Sequence, residues 1–262
     1  SSTKEGSRSA SSSDVGIGDT SVSTIQPGVE VWMGGVAGRH SLNVTTPDAP
    51  EGEKYGINQA NPFIGARMEI SAVLGRFASH DAGFGLEAFG TYAPFSTSLG
   101  QQDAGGGNAQ EYSSSISQAG LDLKYMYQVS GRLRLNAGTG FEVMSLRIEE
   151  NAKYTGNRYA QFRFTFGALY RLFPVLAVRA GGGVAPVLQS DMSGGAFGNS
   201  AFAPGVLGEG ELRLLPFDPV IISLGYQLYY YDLLFRNPNI INYEADVTDT
   251  YQFGTLKVSY RF

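Results

Sequence analysis

From about Pro27 to the last residue, apolar and polar side chains alternate with period two, segment after segment. In a first segment Val29, Val31, Met33, Gly35 and Ala37 share one face, with Glu30, Trp32 and Gly34 on the other. In the next, Ile64, Ala66, Met68, Ile70, Ala72 and Leu74 oppose Gly65, Arg67, Glu69 and Ser71. The pattern recurs with Phe84, Leu86 and Tyr92 against Glu87 and Thr91, then with Leu121, Leu123 and Tyr125 against Asp122 and Lys124. It continues with Leu135, Phe141 and Val143 against Arg134 and Glu142, with Phe162, Phe164 and Phe166 against Arg163, and with Leu176 and Val178 against Arg179. Leu212 and Leu214 oppose Glu209, Glu211 and Arg213, and Ile222, Leu224 and Tyr226 oppose Ser223 and Gln227. Such alternation is the mark of strands with two different environments.

These segments predict about ten strands, or eight if two of them are loops. Their connections alternate in length. Long polar stretches cover about 40–58, 94–112, 189–204 and 236–248, and a shorter polar loop covers about 151–157. Tight turns fall at Ser79-His80-Asp81, Ser130-Gly131, Phe173-Pro174 and Pro216-Phe217-Asp218-Pro219, with the Gly and Pro signals of short reversals. An up-and-down meander with short turns at one end and long loops at the other is the arrangement of transmembrane β-barrels. A soluble barrel or sandwich is the rival, since alternation alone does not say which face meets solvent. Aromatics near the predicted strand ends, Tyr92, Tyr170, Phe173, Tyr229, Tyr231 and Tyr260, favour a membrane, where they would form interfacial belts.

Composition narrows the class. Charged residues make up only 16% of the chain, and there are 35 Gly, 15 Tyr and 16 Phe. No run approaches the ~18 apolar residues of a membrane helix. No apolar signal segment stands at the N-terminus, so an exported protein would be represented in its mature form. Without Cys there are no disulfides and no thiolate metal sites. A net charge of −5 argues against nucleic acid as a partner. Residues 1–25 are rich in Ser, Gly and Thr and read as a flexible tail ahead of a barrel spanning 26–262.

The chain closes on Leu256, Val258, Tyr260 and Phe262 on one face and Lys257, Ser259 and Arg261 on the other. This stretch, ending on an aromatic in register with the apolar face, resembles the C-terminal signature strand of bacterial outer-membrane β-barrel proteins. The resemblance covers one strand. It implies an all-β, closed antiparallel barrel in the outer membrane, with both termini in the periplasm. It also implies contact with membrane lipid, and with the barrel-assembly machinery during insertion through Leu256, Val258, Tyr260 and Phe262. Protein partners would be reached through the N-terminal tail.

Candidate chemistry is sparse. The predicted lumen-lining charges are Arg67, Glu69, Glu87, Asp122, Lys124, Arg134, Glu142, Arg163, Arg179, Glu209, Glu211 and Arg213. In a narrow barrel, ionised groups of both signs need partners or water, so they should either lock the interior or line a small selective pore. Glu209 and Glu211 share a face and could in principle do acid–base work, but nothing else points to a substrate. His40 and His80 are the only histidines. They fall at opposite ends of the predicted strands, too far apart to share a metal or a triad, and both are expected as solvated surface residues. Gly105-Gly106-Gly107 lacks the context of a phosphate loop, and Gly181-Gly182-Gly183 falls within a strand. Asp48, Asp103 and Asp191 are too sparse for a Ca²⁺ site. No catalytic residue, metal or cofactor is expected. The chain is read first as a non-enzymatic structural or anchoring barrel within a larger assembly. A narrow passive channel for ions or small solutes comes second, and a lipid- or peptide-modifying enzyme third.

Overall fold

A computed structural model of the chain describes residues 25, 27–45, 56–76, 81–99, 110–150, 156–191, 199–200, 204–217, 219–235 and 245–262. The readings of residues 1–24, Asp48, His80, Asp103 and Gly105–Gly107 lie outside the described residues, as does the Asp191 side chain.

The strands are β1 (Gly28–Thr45), β2 (Gly56–Arg76), β3 (Ala82–Leu99), β4 (Gln110–Gln128), β5 (Leu133–Ile148) and β6 (Gly156–Phe173). They continue with β7 (Leu176–Val184), β8 (Val187–Asp191), β9 (Asn199–Ser200), β10 (Gly205–Phe217), β11 (Val220–Phe235) and β12 (Ala245–Arg261). Sequential neighbours pair antiparallel from β1 to β7, and β7, β10, β11 and β12 follow in the sheet. β12 returns to β1 in continuous register from Glu30↔Arg261 to Thr45↔Asp246. The sheet is therefore a closed barrel. β8 carries on the pairing of β7 along β6 past a break at Ala185-Pro186, and β9 pairs with β8. Counting β7 with β8 and β9 with β10 as single staves, the wall has ten.

Strands of 16–21 residues are longer than the ~9–11 residues a tilted strand needs to cross a membrane. Segments 40–45, 56–58, 94–99 and 110–112, expected as loop, are strand. The extra length goes to the loop end, and there the side-chain pattern inverts. Toward the turn end the outward positions of β1 are Val29, Val31, Met33, Gly35 and Ala37; toward the loop end they are Arg39, Ser41, Asn43 and Thr45. β12 runs the same way, from Tyr260, Val258 and Leu256 to Gln252, Thr250, Thr248 and Asp246.

The inward positions do the opposite. At the loop end Leu42, Val44, Ile116, Leu146, Ile148, Val187, Leu233 and Val247 form a buried apolar core inside the barrel. This corrects the expectation of a polar interior throughout. The physical reason is the solvent. Hydrocarbon wants apolar residues outside, whereas a stretch of barrel standing in water must bury its apolar residues inside. The chain is thus a membrane-crossing barrel carrying an extramembrane collar.

The aromatic belt is corrected too. Tyr92, Tyr170, Phe173 and Tyr260 are exposed on the outer wall, but Tyr229 and Tyr231 point inward and are buried. Both lie on odd positions of β11, in phase with the inward Ser223 and Gln227 rather than with the outward Leu224 and Tyr226. Ile25, just ahead of β1, is buried at the turn end, where a Cβ added to Gly83 would meet its Cγ2 at 2.8 Å.

Candidate functional site

Three layers of side chains fill the lumen. Nearest the turn end, β1, β7, β10 and β12 contribute charges that pair locally. Arg261 is hydrogen-bonded and ion-paired to Glu30 across the β1–β12 seam. Arg213 donates through both Nε and Nη2 to Glu211 Oε2, at 2.9 and 2.7 Å. Arg179 Nη2 meets Glu209 Oε1 at 2.7 Å. Lys124 pairs with Glu87 across β3 and β4. The Trp32 ring underlies both the Arg213 guanidinium (5.0 Å) and the Lys257 ammonium (5.2 Å). Arg134 also faces this layer but makes no ion pair or hydrogen bond among the described residues.

The middle layer is a girdle of buried ions. Glu69 accepts from Arg67 Nε at 2.6 Å and from Lys257 Nζ at 2.8 Å. Arg67 Nη1 reaches Thr91 Oγ1 and Gln118 Oε1, at 3.1 and 3.0 Å. Gln118 Nε2 donates to Glu142 (2.6 Å) and to the Tyr229 hydroxyl oxygen (2.9 Å). Arg163 pairs with Glu142 at 3.2 Å and Asp122 at 3.5 Å. The guanidinium carbons of Arg67 and Arg163 lie 4.9 and 4.8 Å from the centre of the Phe89 ring, a cation–π arrangement on both. Gly120 makes room for that ring, because any Cβ there would overlap it.

Above the girdle sits an aromatic plug. Phe63, Phe253, Tyr229, Tyr231, Tyr251 and Tyr159 are all buried, with Phe63–Phe253 centroids 5.4 Å apart and Tyr159–Tyr231 stacked at 4.7 Å. The plug encloses a polar knot. His40 Nε2 lies 2.7 Å from Asp249 Oδ1, and Asp249 Oδ2 accepts from Asn157 Nδ2 and from the Tyr159 hydroxyl. Tyr251 donates to Asn157 Oδ1 and packs its ring 4.6 Å from His40. His40 and Asp249 are both fully buried.

Every predicted lumen charge thus faces inward: Arg67, Glu69, Asp122, Glu142 and Arg163 in the girdle, the others nearer the turn end. Each carboxylate of Glu209 and Glu211 is held by a guanidinium, Arg179 and Arg213 respectively. Leu256, Val258 and Tyr260 stand on the outer wall, and Phe262, just past the end of β12, is exposed at the turn end and lines the mouth of the lumen.

The solvated-surface reading of His40 is wrong. The even positions of β1 that turn Trp32 inward also turn His40 inward, and the collar surrounds it. Its partner Asp249 lies in phase with Lys257, Ser259 and Arg261, at the margin of a stretch expected as loop. Extending the parity of the last strand would have found it. Asn157 and Tyr159 follow similarly from the phase of Arg163.

No protein-family model matches the chain, and neither does any curated protein. Among solved structures it is similar to the outer membrane protease OmpT from Escherichia coli, with a TM-score of 0.52 at 10% identity, covering 90% of this chain and 97% of that one. The chain shares its fold with bacterial outer-membrane β-barrels. Weaker likenesses are to the Ralstonia pickettii toluene transporter TbuX (TM-score 0.39, 10% identity, 90% of each chain) and to Ail of Yersinia pestis (TM-score 0.33, 10% identity, 90% of this chain and all of that one). At these identities the likeness concerns the fold alone.

Proposed function

We propose that this protein is a closed, non-conducting barrel that anchors an assembly in the bacterial outer membrane, with its turn end and both termini in the periplasm. The observation that carries the reading is the filled lumen. The girdle of Arg67, Glu69, Glu142 and Arg163 and the plug of Phe63, Phe253, Tyr229 and Tyr231 lie in series along the axis, all buried. A conducting pore needs a continuous path for its solute along the axis, whereas here charges are spent on one another and the collar is packed like a soluble core.

The orientation rests on short turns being periplasmic in barrels of this kind. The N-terminal segment 1–24 is the proposed contact for protein partners, because the residue that follows it, Ile25, is buried at the turn end. The enzymatic reading gains little from His40 and Asp249, since each is fully buried and tied into structural hydrogen bonds.

The test is purification from native membranes in gentle detergent, with and without residues 1–24. Stoichiometric partners that vanish with the segment support the anchor role. A chain that travels alone in both forms removes it.

A further inference from the structure

The turn end opens into a vestibule of about 340 Å³, within the size range of small-ligand pockets. It is a dead end, since the girdle lies beneath it. Its wall includes Arg134 of β5, Arg179 of β7, Arg213 of β10, Arg261 of β12 and Trp32 of β1. Three of these arginines are already committed to Glu209, Glu211 and Glu30. Glu69 and Glu87, which also line the space, are committed to Arg67, Lys257 and Lys124.

Arg134 is different. It is half-buried, it lines the vestibule, and it makes no ion pair or hydrogen bond among the described residues. Its cross-strand neighbours are Gln128 and Leu169, neither of them acidic. Among the described residues that line the vestibule, the acids Glu30, Glu69 and Glu87 are all ion-paired, and Arg134 is left without a carboxylate.

We propose that the vestibule binds a small solute bearing an oxyanion, a phosphate monoester or a carboxylate, with Arg134 as its principal contact. A guanidinium offers a planar fork that fits both groups bidentately. A half-enclosed site strengthens that bond relative to open water. The committed pairs hold the wall rigid, so binding demands little reorganisation. This goes beyond the anchor role and does not depend on it, because the vestibule would bind its solute whether or not the barrel conducts.

The chain carries a reporter. Its single tryptophan, Trp32, lines the vestibule. The folded barrel in detergent is titrated with inorganic phosphate and, separately, with acetate, at constant ionic strength, while Trp32 fluorescence is read. A saturable change is expected. Saturation by phosphate alone marks a phosphoryl solute, and saturation by acetate marks a carboxylate. Arg134→Gln should weaken binding at least about tenfold, and Arg134→Lys should retain part of it, because the charge survives without the fork. Should the Gln variant fail to fold, protection of Arg134 from arginine-directed modification by phosphate or acetate, read by mass spectrometry, replaces it. The proposal is overturned by the absence of a saturable change with both anions, by an Arg134→Gln variant that titrates like the parent, or by Arg134 being modified equally with and without anion.

Discussion

Lys257 on the last strand reaches Glu69 on the second, Nζ to Oε2 at 2.8 Å, across the intervening first strand. Because β12 and β2 flank β1 from opposite sides, this one bond spans the seam where the barrel closes. Glu69 is also held by Arg67, and Lys257 also faces Glu211 at 3.5 Å. Breaking a buried pair costs about 3–5 kcal/mol when the charge left behind has no other partner. Lys257→Met should lower the unfolding free energy by less than that, because Glu69 keeps Arg67 and Glu211 keeps Arg213. Glu69→Gln should cost more than Lys257→Met, because it leaves the buried Arg67 without its carboxylate. Denaturant unfolding of the detergent-folded barrel, followed by Trp32 fluorescence, measures both.

The knot around Asp249 makes a second case. Its carboxylate serves His40, Asn157 and Tyr159 at once. Asp249→Ala takes this acceptor from the buried His40 Nε2, at about 1–3 kcal/mol, while Asn157 Nδ2 keeps its bond to the Tyr159 hydroxyl. The expected result is a barrel that unfolds at markedly lower denaturant and whose loop end becomes protease-sensitive before the turn end. An Asp249→Ala barrel as stable as the parent would show that the knot carries no structural weight.

The inverted collar predicts where the membrane ends. Met68 stands outward on β2 in the apolar band, opposite Met33 of β1, and Asn43 stands outward on β1 beyond the band, between the buried Leu42 and Val44. Arginine on the lipid face costs about 2–4 kcal/mol at the midplane and close to zero near the interface. Met68→Arg should thus impair folding into lipid vesicles by about 2 kcal/mol or more, and Asn43→Arg should leave it unchanged. Equal costs at the two sites would remove the boundary placed between them.

Much of this was legible in the sequence. The alternation of Leu256, Val258, Tyr260 and Phe262 with Lys257, Ser259 and Arg261 predicts a barrel strand, and the wall shows the same alternation all round. The count of ten staves and the uneven connections follow from the turn residues. What was hidden is the change of environment along a single strand. Period two says that two faces differ, but not which of them meets lipid, water or a packed lumen. Hence His40, Tyr229 and Tyr231, which fall on inward positions, were read from their residue types as surface groups. Pairings such as Lys257 with Glu69 depend on closure, which joins residues 188 positions apart, and no local pattern encodes that.

Two glycines mark close approach. Gly120 faces the Phe89 ring that Arg67 and Arg163 hold, and a Cβ there would collide with it. Gly156 opens β6 with φ near 112° and a Cβ directed at the Leu146 carbonyl. Gly120→Val should displace Phe89 and destabilise by about 1–3 kcal/mol through overpacking, while Gly156→Ala should cost about 1–3 kcal/mol through backbone strain. Thermal unfolding monitored by circular dichroism reads both.

The central claim is that the lumen is closed by the girdle and the plug. Its most direct test is single-channel recording of the folded barrel in a planar bilayer. The account predicts no steady conductance from the parent chain, with steps appearing once the plug is opened by a combined Phe63→Ala, Tyr229→Ala and Phe253→Ala replacement. Stable, ion-selective steps from the parent chain would contradict it.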